Sequence, residues 1–186
     1  MAWKKAFESF PVLETNRFRL RRPVESDARR MYEIYSEPDV VRFLDWNGPD
    51  SEETARLVIR YYNEQYLRKT ALRWVIADKE SNVMAGMCML AGFVTPKTCE
   101  VGYDLHKDWW GKGAMTEVLQ RVTEYCFAEL ELTRIQALVQ PGNIASAKLL
   151  EKLGFEREGL LRQYGYHEDN KQTNDVEIYS LIQIGE

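Results

Sequence analysis

The sequence predicts one domain of the α/β (α+β) class, built on a mixed, mostly antiparallel sheet. The chain has 186 residues, a length that suits a single domain with its own core. Strands joined by short turns in the middle of the chain indicate hairpins, and a later strand–helix–strand order requires a parallel pair. The 45% hydrophobic and 29% charged content is typical of a soluble globular protein. We therefore expect one domain over residues 1–186, with its core at about 13–184.

The charge and the potential metal ligands argue against several functions. A net charge of −4 makes nucleic acid an unsuitable direct partner. His106 and His167 are too few and too far apart for a zinc site, and we expect no metal. The cysteines, Cys88, Cys99 and Cys126, lie among apolar neighbours, as buried reduced thiols in the cytoplasm would.

Targeting to a membrane is not indicated either. The first ten residues, MAWKKAFESF, have no apolar core behind their charges and do not resemble a signal peptide. The longest apolar run, residues 83–94, is too short to span a bilayer and is interpreted as a buried strand. These features favour a cytoplasmic protein with no membrane partner.

The first elements are predicted from residue alternation and breakers. Residues 18–22 (FRLRR) alternate apolar and basic residues, which predicts a strand with one solvated face. Ser26 or Asp27 can cap a helix that runs to about Ser36, and Pro38 should end it. Residues 39–49 are expected to be irregular because they hold several turn formers.

A second helix is predicted from Asp50, which with Glu53 has capping-box spacing, to about Arg68. Its apolar residues should share one side: Leu57, Val58, Tyr61, Tyr62 and Tyr66. We favour ordinary packing for these aromatics. The alternative is that Trp46, Tyr61, Tyr62 and Tyr66 line a substrate cleft.

The remaining elements follow in a regular order. Strands are predicted at residues 74–78, 84–94, 99–105, 134–139, 157–166 and 176–182. Helices are predicted at residues 115–130 and 144–152, the second ending at Gly154. The total is about seven strands and four helices.

The stretch WWGKGAMTEV (residues 109–118) is the first candidate site. Gly111 and Gly113 allow a backbone with positive φ that can approach a ligand closely. The helix that follows supplies unpaired N–H groups and the positive end of a dipole, and Lys112 adds a charge. These features suit an anion such as a diphosphate, although taken alone a Gly-Lys-Gly sequence before a helix is more often a simple turn.

A second motif, NIASAKLLEKLGFEREG at residues 143–159, follows about thirty residues later. Together with the WGKG loop it closely resembles the GNAT acyltransferase superfamily, and in particular the Rim branch of ribosomal-protein N-terminal acetyltransferases. The strand EVGYDL and the tail DVEIYSLI are also similar to that branch. The resemblance covers the chain from Leu13 onward.

The resemblance implies acetyl-CoA as co-substrate and a sheet that splays between its fourth and fifth predicted strands. Pantetheine would bond to backbone at Leu105 and His106. The diphosphate would lie on the segment formed by Gly111, Lys112, Gly113, Ala114, Met115 and Thr116. The acceptor would be an amine, for which we favour a protein N-terminus of the ribosomal-protein type, and the alternative is a small molecule such as a polyamine, amino acid or aminoglycoside. A CoA-binding module without catalysis is a further alternative. Whether the chain forms a homodimer is left undecided by the sequence.

The resemblance also suggests catalytic roles. Ser146 would donate a proton to the departing thiolate, unless it only caps its helix or packs against the cofactor. Asn143 would bond pantetheine or cap the same helix. Glu100 would act as general base through water if strand alternation turns it to the cleft, and it would otherwise be a solvated strand residue. Leu150 departs from members that have a tyrosine there, and Gly165 stands where Rim-type enzymes can have a glutamate.

Overall fold

A sheet of eight strands organises the computed structural model, which describes residues 2–93, 95 and 97–183. The strands are β1 (Leu13–Glu14), β2 (Phe18–Arg21), β3 (Leu72–Asp78), β4 (Met84–Ala91), β5 (Thr98–Leu105), β6 (Arg134–Val139), β7 (Glu156–His167) and β8 (Gln172–Ile182). Their spatial order is β1-β2-β3-β4-β5-β6-β8-β7. The β5–β6 pair is parallel and the other neighbours are antiparallel. The predicted mixed, mostly antiparallel sheet is confirmed.

Helices cover the two faces of this sheet. The α-helices are α1 (Ala28–Tyr35), α2 (Pro38–Val41), α3 (Glu52–Leu67), α4 (Ala114–Ala128) and α5 (Ile144–Lys152). One buried cluster joins α4 and α5 to the sheet through residues such as Val118, Leu150 and Ile135. A second cluster joins α1 and α3 to the opposite face, at Val75 and Ala77 of β3. Strand β3 therefore buries alternate side chains on opposite sides, with Trp74 and Ile76 in the first cluster and Val75 and Ala77 in the second.

Several boundaries differ from the predictions. The two-residue strand β1 was not predicted, because two residues show no periodicity. Helix α1 ends at Tyr35. Pro38 was predicted only to end a helix, but it also begins α2 at the first helical position, where the N–H that proline lacks would have no partner within the helix. Strand β4 ends at Ala91, and the predicted end at Val94 lies outside the described residues.

The cap of α3 also differs. Ser51, not Asp50, is its N-cap, and the Ser51 hydroxyl accepts from the Thr54 amide at 3.1 Å. The predicted apolar side is wrong in part, because Leu57 and Tyr61 are more than half exposed. Tyr66 is buried among aromatic side chains near the N-terminus. Helix α3 thus packs through fewer of its apolar residues than the sequence predicted.

The β7–β8 hairpin reaches the segment between α2 and α3. The Glu168 amide donates to the Asp45 carbonyl at 2.7 Å, and the Asn47 amide donates to the Asp169 carboxylate at 2.7 Å. The tip of the β7–β8 hairpin is therefore hydrogen-bonded to the segment between α2 and α3.

The cysteines Cys88, Cys99 and Cys126 are buried and free, as predicted. Among the described residues, no helix has the length and apolar character needed to cross a membrane. Within the same ranges no group of three or more His, Cys, Asp or Glu side chains is placed to hold a metal ion.

Candidate active site

The site is the gap that opens where β5 and β6 part. The two strands pair from Thr98 to Glu100 against Arg134 to Gln136, and their later residues have no shared register. A cleft of about 910 Å³ occupies this gap. The predicted splay between these strands is confirmed. We call the part lined by residues 105–116 and 143–149 the loop side. Glu100 and Asp104, which also line the cleft, and their hydrogen-bond partners Gln136 and Tyr35 are called the carboxylate side.

The glycine loop meets the geometric requirement for an anion. Gly111 and Gly113 have φ of 70° and 69°, in the left-handed region that favours glycine. The first intrahelical bond of α4 runs from the Glu117 amide to the Gly113 carbonyl at 3.1 Å. The three preceding amides, of residues 114–116, therefore have no partner within the helix. All three residues line the cleft, so this helix end can receive a diphosphate.

Helix α5 contributes two of the predicted residues. Asn143 is its N-cap, and the Asn143 side-chain oxygen accepts from the Ser146 amide at 3.2 Å. The Ser146 hydroxyl lies 2.7 Å from the hydroxyl of Tyr103 on β5, and both residues line the cleft. Burial raises the pKa of Tyr103 to about 12, although the bond to Ser146 lowers it. The phenol is therefore neutral and can donate to Ser146.

The backbone of β5 presents free groups to the cleft. The His106 amide donates to the Ala85 carbonyl of the β4 side at 2.8 Å. Because antiparallel strands alternate in bonding direction, Leu105 and Tyr103 turn their N–H and C=O groups the other way, into the gap. The indole of Trp110 donates to the Leu105 carbonyl at 2.7 Å.

His106 is already bonded on both sides of its backbone. Its carbonyl accepts from the Trp109 amide at 3.0 Å, and its ring nitrogen Nδ1 accepts from the Asp108 amide at 3.3 Å. The side chain is buried, being only 7% exposed. A main-chain contact from His106 to a ligand would have to use the second lone pair of its carbonyl or replace one of these bonds.

Glu100 lies on the carboxylate side. Cys99 and Val101 join the α4 cluster, so the alternate residue Glu100 faces the opposite side of the sheet, where it lines the cleft. Gln136 donates to its carboxylate at 3.4 Å, at the last register position before the strands part. Burial raises the pKa of Glu100, and the nearby Asp45 charge adds to this, while Gln136 lowers it. Such a carboxylate is a better base than an exposed one.

Asp104 is a second carboxyl on the same side of β5, and sequence reasoning missed it. Tyr35 of α1 donates to Asp104 Oδ2 at 2.8 Å, and Oδ1 is buried with no partner among the described residues. Burial raises the pKa of Asp104 to about 6, although the Tyr35 hydrogen bond lowers it. The carboxylate side thus holds two acidic groups whose charged forms are poorly solvated.

The aromatic alternative is not supported. The residues that line the cleft in the described part of the chain do not include Trp46, Tyr61, Tyr62 or Tyr66. Trp46 packs against Tyr35 instead, with ring centroids 5.4 Å apart. The favoured interpretation, ordinary packing, fits Tyr66, whereas Tyr61 is exposed.

Two positions, Leu150 and Gly165, differ from the sequence pattern of the Rim branch, and the structure shows which side chains surround them. Leu150 is fully buried in the α4–α5 cluster and does not face the cleft. At Gly165 a Cβ would lie 1.9 Å from the Asn174 side-chain oxygen, so no larger side chain fits while Asn174 keeps this rotamer. Both Gly165 and Asn174 line the cleft.

This arrangement can hold a thioester between a hydroxyl pair and a carboxylate. Ser146 and Tyr103 are available on one side to stabilise a leaving thiolate, and Glu100 on the other side can accept a proton. The free Leu105 amide is available to an oxyanion. Tyr103 and Asp104 gave no separate signal in the sequence, because a strand sequence does not specify which helix residues its side chains will meet.

Comparison with known proteins also indicates an acetyltransferase. The family model described as "Acetyltransferase (GNAT) domain" matches residues 17–156. The chain is similar to an uncharacterised N-acetyltransferase of Bacillus subtilis, YoaA, at 33% identity over 93% of this chain and 97% of the relative. It is also similar to the [ribosomal protein uS5]-alanine N-acetyltransferase of Escherichia coli, at 30% identity over 82% of this chain and 81% of that one.

A solved structure shows the same fold. RimJ of Mycobacterium smegmatis, in complex with a CoA-disulfide, superposes with a TM-score of 0.80. It covers 92% of this chain and 87% of its own length at 20% identity. At that identity the likeness supports the fold alone.

Proposed function

Since the chain belongs to the GNAT acetyltransferase family and is an acetyl-CoA-dependent N-acetyltransferase, we propose that its acceptor is the N-terminal amine of a protein. The observation that carries this proposal is the relative from Escherichia coli that acts on the alanine of ribosomal protein uS5. A ribosomal protein N-terminus is accordingly the proposed acceptor, and it would be met in the cytoplasm.

The donor half of the reaction rests on the loop side. The diphosphate of acetyl-CoA would lie on the segment from Gly111 to Thr116, where the amides of residues 114–116 lack helical partners. Pantetheine would run along the exposed backbone of Tyr103 and Leu105 in place of a paired strand, with Asn143 beside it. The basic side chain of Lys148 also lines this side.

The acceptor half rests on the carboxylate side. A protein N-terminal amine is partly protonated at neutral pH and must lose a proton before it attacks the thioester. Glu100 is proposed to take that proton through water. The amine nitrogen then bonds to the acetyl carbon, its second proton passes to water, and the Leu105 amide holds the oxyanion that forms until the carbonyl is restored and the carbon–sulfur bond breaks.

Release of CoA completes the reaction. As the carbon–sulfur bond breaks, the Ser146 hydroxyl is proposed to donate its proton to the sulfur and to regain one from water. Tyr103 would donate its own hydrogen bond to Ser146 Oγ, which leaves the Ser146 proton free to point at the sulfur. Leu150 cannot take this role because its hydrocarbon side chain has no proton to donate, and it is buried in the core.

The test is a comparison of acceptors under identical conditions. The enzyme is incubated with acetyl-CoA and a peptide that begins with alanine, and thiol release is followed together with the mass of the product. The control is the same peptide with its N-terminus blocked and an internal lysine left free. Spermidine, free lysine and kanamycin complete the panel.

The proposal expects acetylation of the free N-terminus and much less of the blocked peptide. Turnover of a small amine alone would replace the proposed acceptor by that amine. CoA binding without turnover of any amine would indicate a CoA-binding module instead of an enzyme with this acceptor class.

A further inference from the structure

An ion pair from a distant part of the chain holds the glycine loop. Arg17 precedes β2, and its backbone N–H and Nε donate to the Glu117 carboxylate at 2.8 and 2.7 Å. Its Nη1 donates to the Lys112 carbonyl at 3.0 Å. Nη2 is the nearest atom, at 4.0 Å, to the point where a Cβ on Gly113 would lie. The guanidinium is therefore beside the loop and fixes the outward carbonyl between its two glycines.

Glu117 occupies an unusual place for an anion site. It belongs to the first turn of α4, where its amide makes the first intrahelical bond. A carboxylate near a helix N-terminus is favourable for the helix itself, but it adds negative charge where a diphosphate would bind. Although burial raises the pKa of Glu117, hydrogen bonds from Thr15 and Arg17 lower it overall. The group is therefore ionised at neutral pH.

We infer that Arg17 is a positioning residue for the diphosphate of CoA, acting by neutralising Glu117 and by holding the Lys112 carbonyl away from the cleft. The inference rests on the proposed CoA site. With the Lys112 carbonyl turned to Arg17, the amides of the loop are left to face the ligand. Without Arg17, the Glu117 charge would face the phosphates uncompensated.

The experiment measures CoA affinity by calorimetry for the wild type and a double-mutant cycle. Arg17→Ala is expected to weaken CoA binding about tenfold. Glu117→Gln removes the competing charge and is expected to leave the affinity equal or about twofold higher. The double variant should regain much of the loss, because the uncompensated carboxylate is gone.

A matched control comes from the same strand. Arg19 is exposed and pairs with Glu14 at 3.4 Å, away from the loop, so Arg19→Ala should leave CoA affinity unchanged. Arg17→Lys keeps the charge but loses the fork geometry, and it should fall between wild type and Arg17→Ala. Melting temperatures show which variants keep the fold, and the lysine variant serves if the alanine variant unfolds.

The outcomes separate the inference from the proposed function. If the wild type does not bind CoA, the proposed donor site fails and the inference with it. If the wild type binds and Arg17→Ala binds equally well, the inference alone is overturned. If Arg17→Ala binds weakly and Glu117→Gln restores nothing in that background, neutralisation is overturned, since a purely structural role predicts no rescue.

Discussion

The loop side of the cleft is made from two short segments, residues 105–116 and 143–149, whereas the carboxylate side joins side chains from α1, β5 and β6. On the loop side most of the groups offered to a ligand are backbone amides, fixed by glycine dihedral angles and helix ends. On the carboxylate side they are ionisable side chains whose charge depends on burial. The comparison indicates that the proposed cofactor site depends on local chain geometry, whereas the proposed acceptor site depends on tertiary packing.

The largest effect is expected at the loop. Gly113→Asp places a Cβ at φ 69° and a negative charge at the proposed diphosphate position. We expect CoA affinity to fall about 100-fold or more, measured by calorimetry. A Cβ there meets no atom closer than 4.0 Å, so the fold should persist.

Gly113→Asn is the matched control for this change. It has the same size and backbone strain without the charge, and asparagine tolerates the left-handed region better than most residues. It should therefore bind CoA at least about tenfold more tightly than the aspartate variant. Equal affinities of the two variants would remove the electrostatic argument for the loop.

The next effect tests whether the hydroxyl pair belongs to chemistry or to binding. Ser146→Ala keeps the amide bonded to Asn143 and should lower kcat about 100-fold, with little change in CoA affinity. Tyr103→Phe should lower kcat about tenfold, and adding it to Ser146→Ala should cause no further loss. Kinetics at saturating acetyl-CoA provide the measurement.

Tyr179→Phe is the control for loss of a tyrosine hydroxyl. Its hydroxyl donates to Glu177 at 3.2 Å and lies outside the residues that line the cleft. Its kcat should match the wild type. A further loss when Tyr103→Phe is combined with Ser146→Ala would mean that Tyr103 acts independently of the serine.

The two sides also differ in how much could be predicted from sequence. The glycine turn, the Asn143 cap and the nearby serine are local patterns, and the structure brings them together at one end of the cleft. The contacts of Tyr103 with Ser146 and of Asp104 with Tyr35 join residues 43 and 69 positions apart. Such pairs depend on how the sheet stacks its helices, which no single stretch of sequence encodes.

The difference between local patterns and long-range contacts also explains which parts of the fold could be predicted. The hairpins and the parallel crossover were predicted because alternation and breaker residues mark them locally. Strand β1 was missed because two residues carry no pattern, and Pro38 was interpreted as a stop although proline also begins helices. Glu100 was predicted as a base only on condition that it faced the cleft, and the position of its neighbours in the core decides that direction.

A smaller effect is expected from the proposed base. Glu100→Gln should lower kcat/KM for the amine about 10- to 100-fold and leave CoA affinity unchanged. Because burial raises the pKa of Glu100, wild-type activity should fall as pH decreases through that raised value. The glutamine variant should lose this acid limb.

Gln136→Leu sharpens this test. The Gln136 hydrogen bond lowers the pKa of Glu100, so its removal should move the acid limb of the pH profile to higher pH. A profile that stays in place in both variants would assign the limb to another group.

The smallest effect concerns the stability of the carboxylate side. The pKa of Asp104 is raised to about 6 in the folded chain, from an ordinary value of 3.8, mainly by burial. The stabilising contribution of the protonated carboxyl is complete below pH 3.8 and is lost as pH rises through about 6. Asp104→Asn, neutral throughout, should therefore raise the free energy of unfolding, and by ~1 kcal/mol more at pH 7.5 than at pH 5.

Unlike Asp104, Asp27 is a buried carboxylate that is paired with an arginine. It is buried as well, but it accepts two bonds from Arg21 at 2.7 and 2.8 Å and one from the Val24 amide at 2.9 Å. Asp27→Asn should lower the free energy of unfolding by ~3 kcal/mol, because the largely buried guanidinium of Arg21 loses its only carboxylate partner among the described residues and keeps just the neutral oxygens of Asn82 and Arg22. Urea denaturation of both variants at the two pH values compares them. If Asp104→Asn also destabilises the protein at pH 7.5, Asp104 is a structural partner of Tyr35, and the carboxylate side does not hold a costly charge at that position.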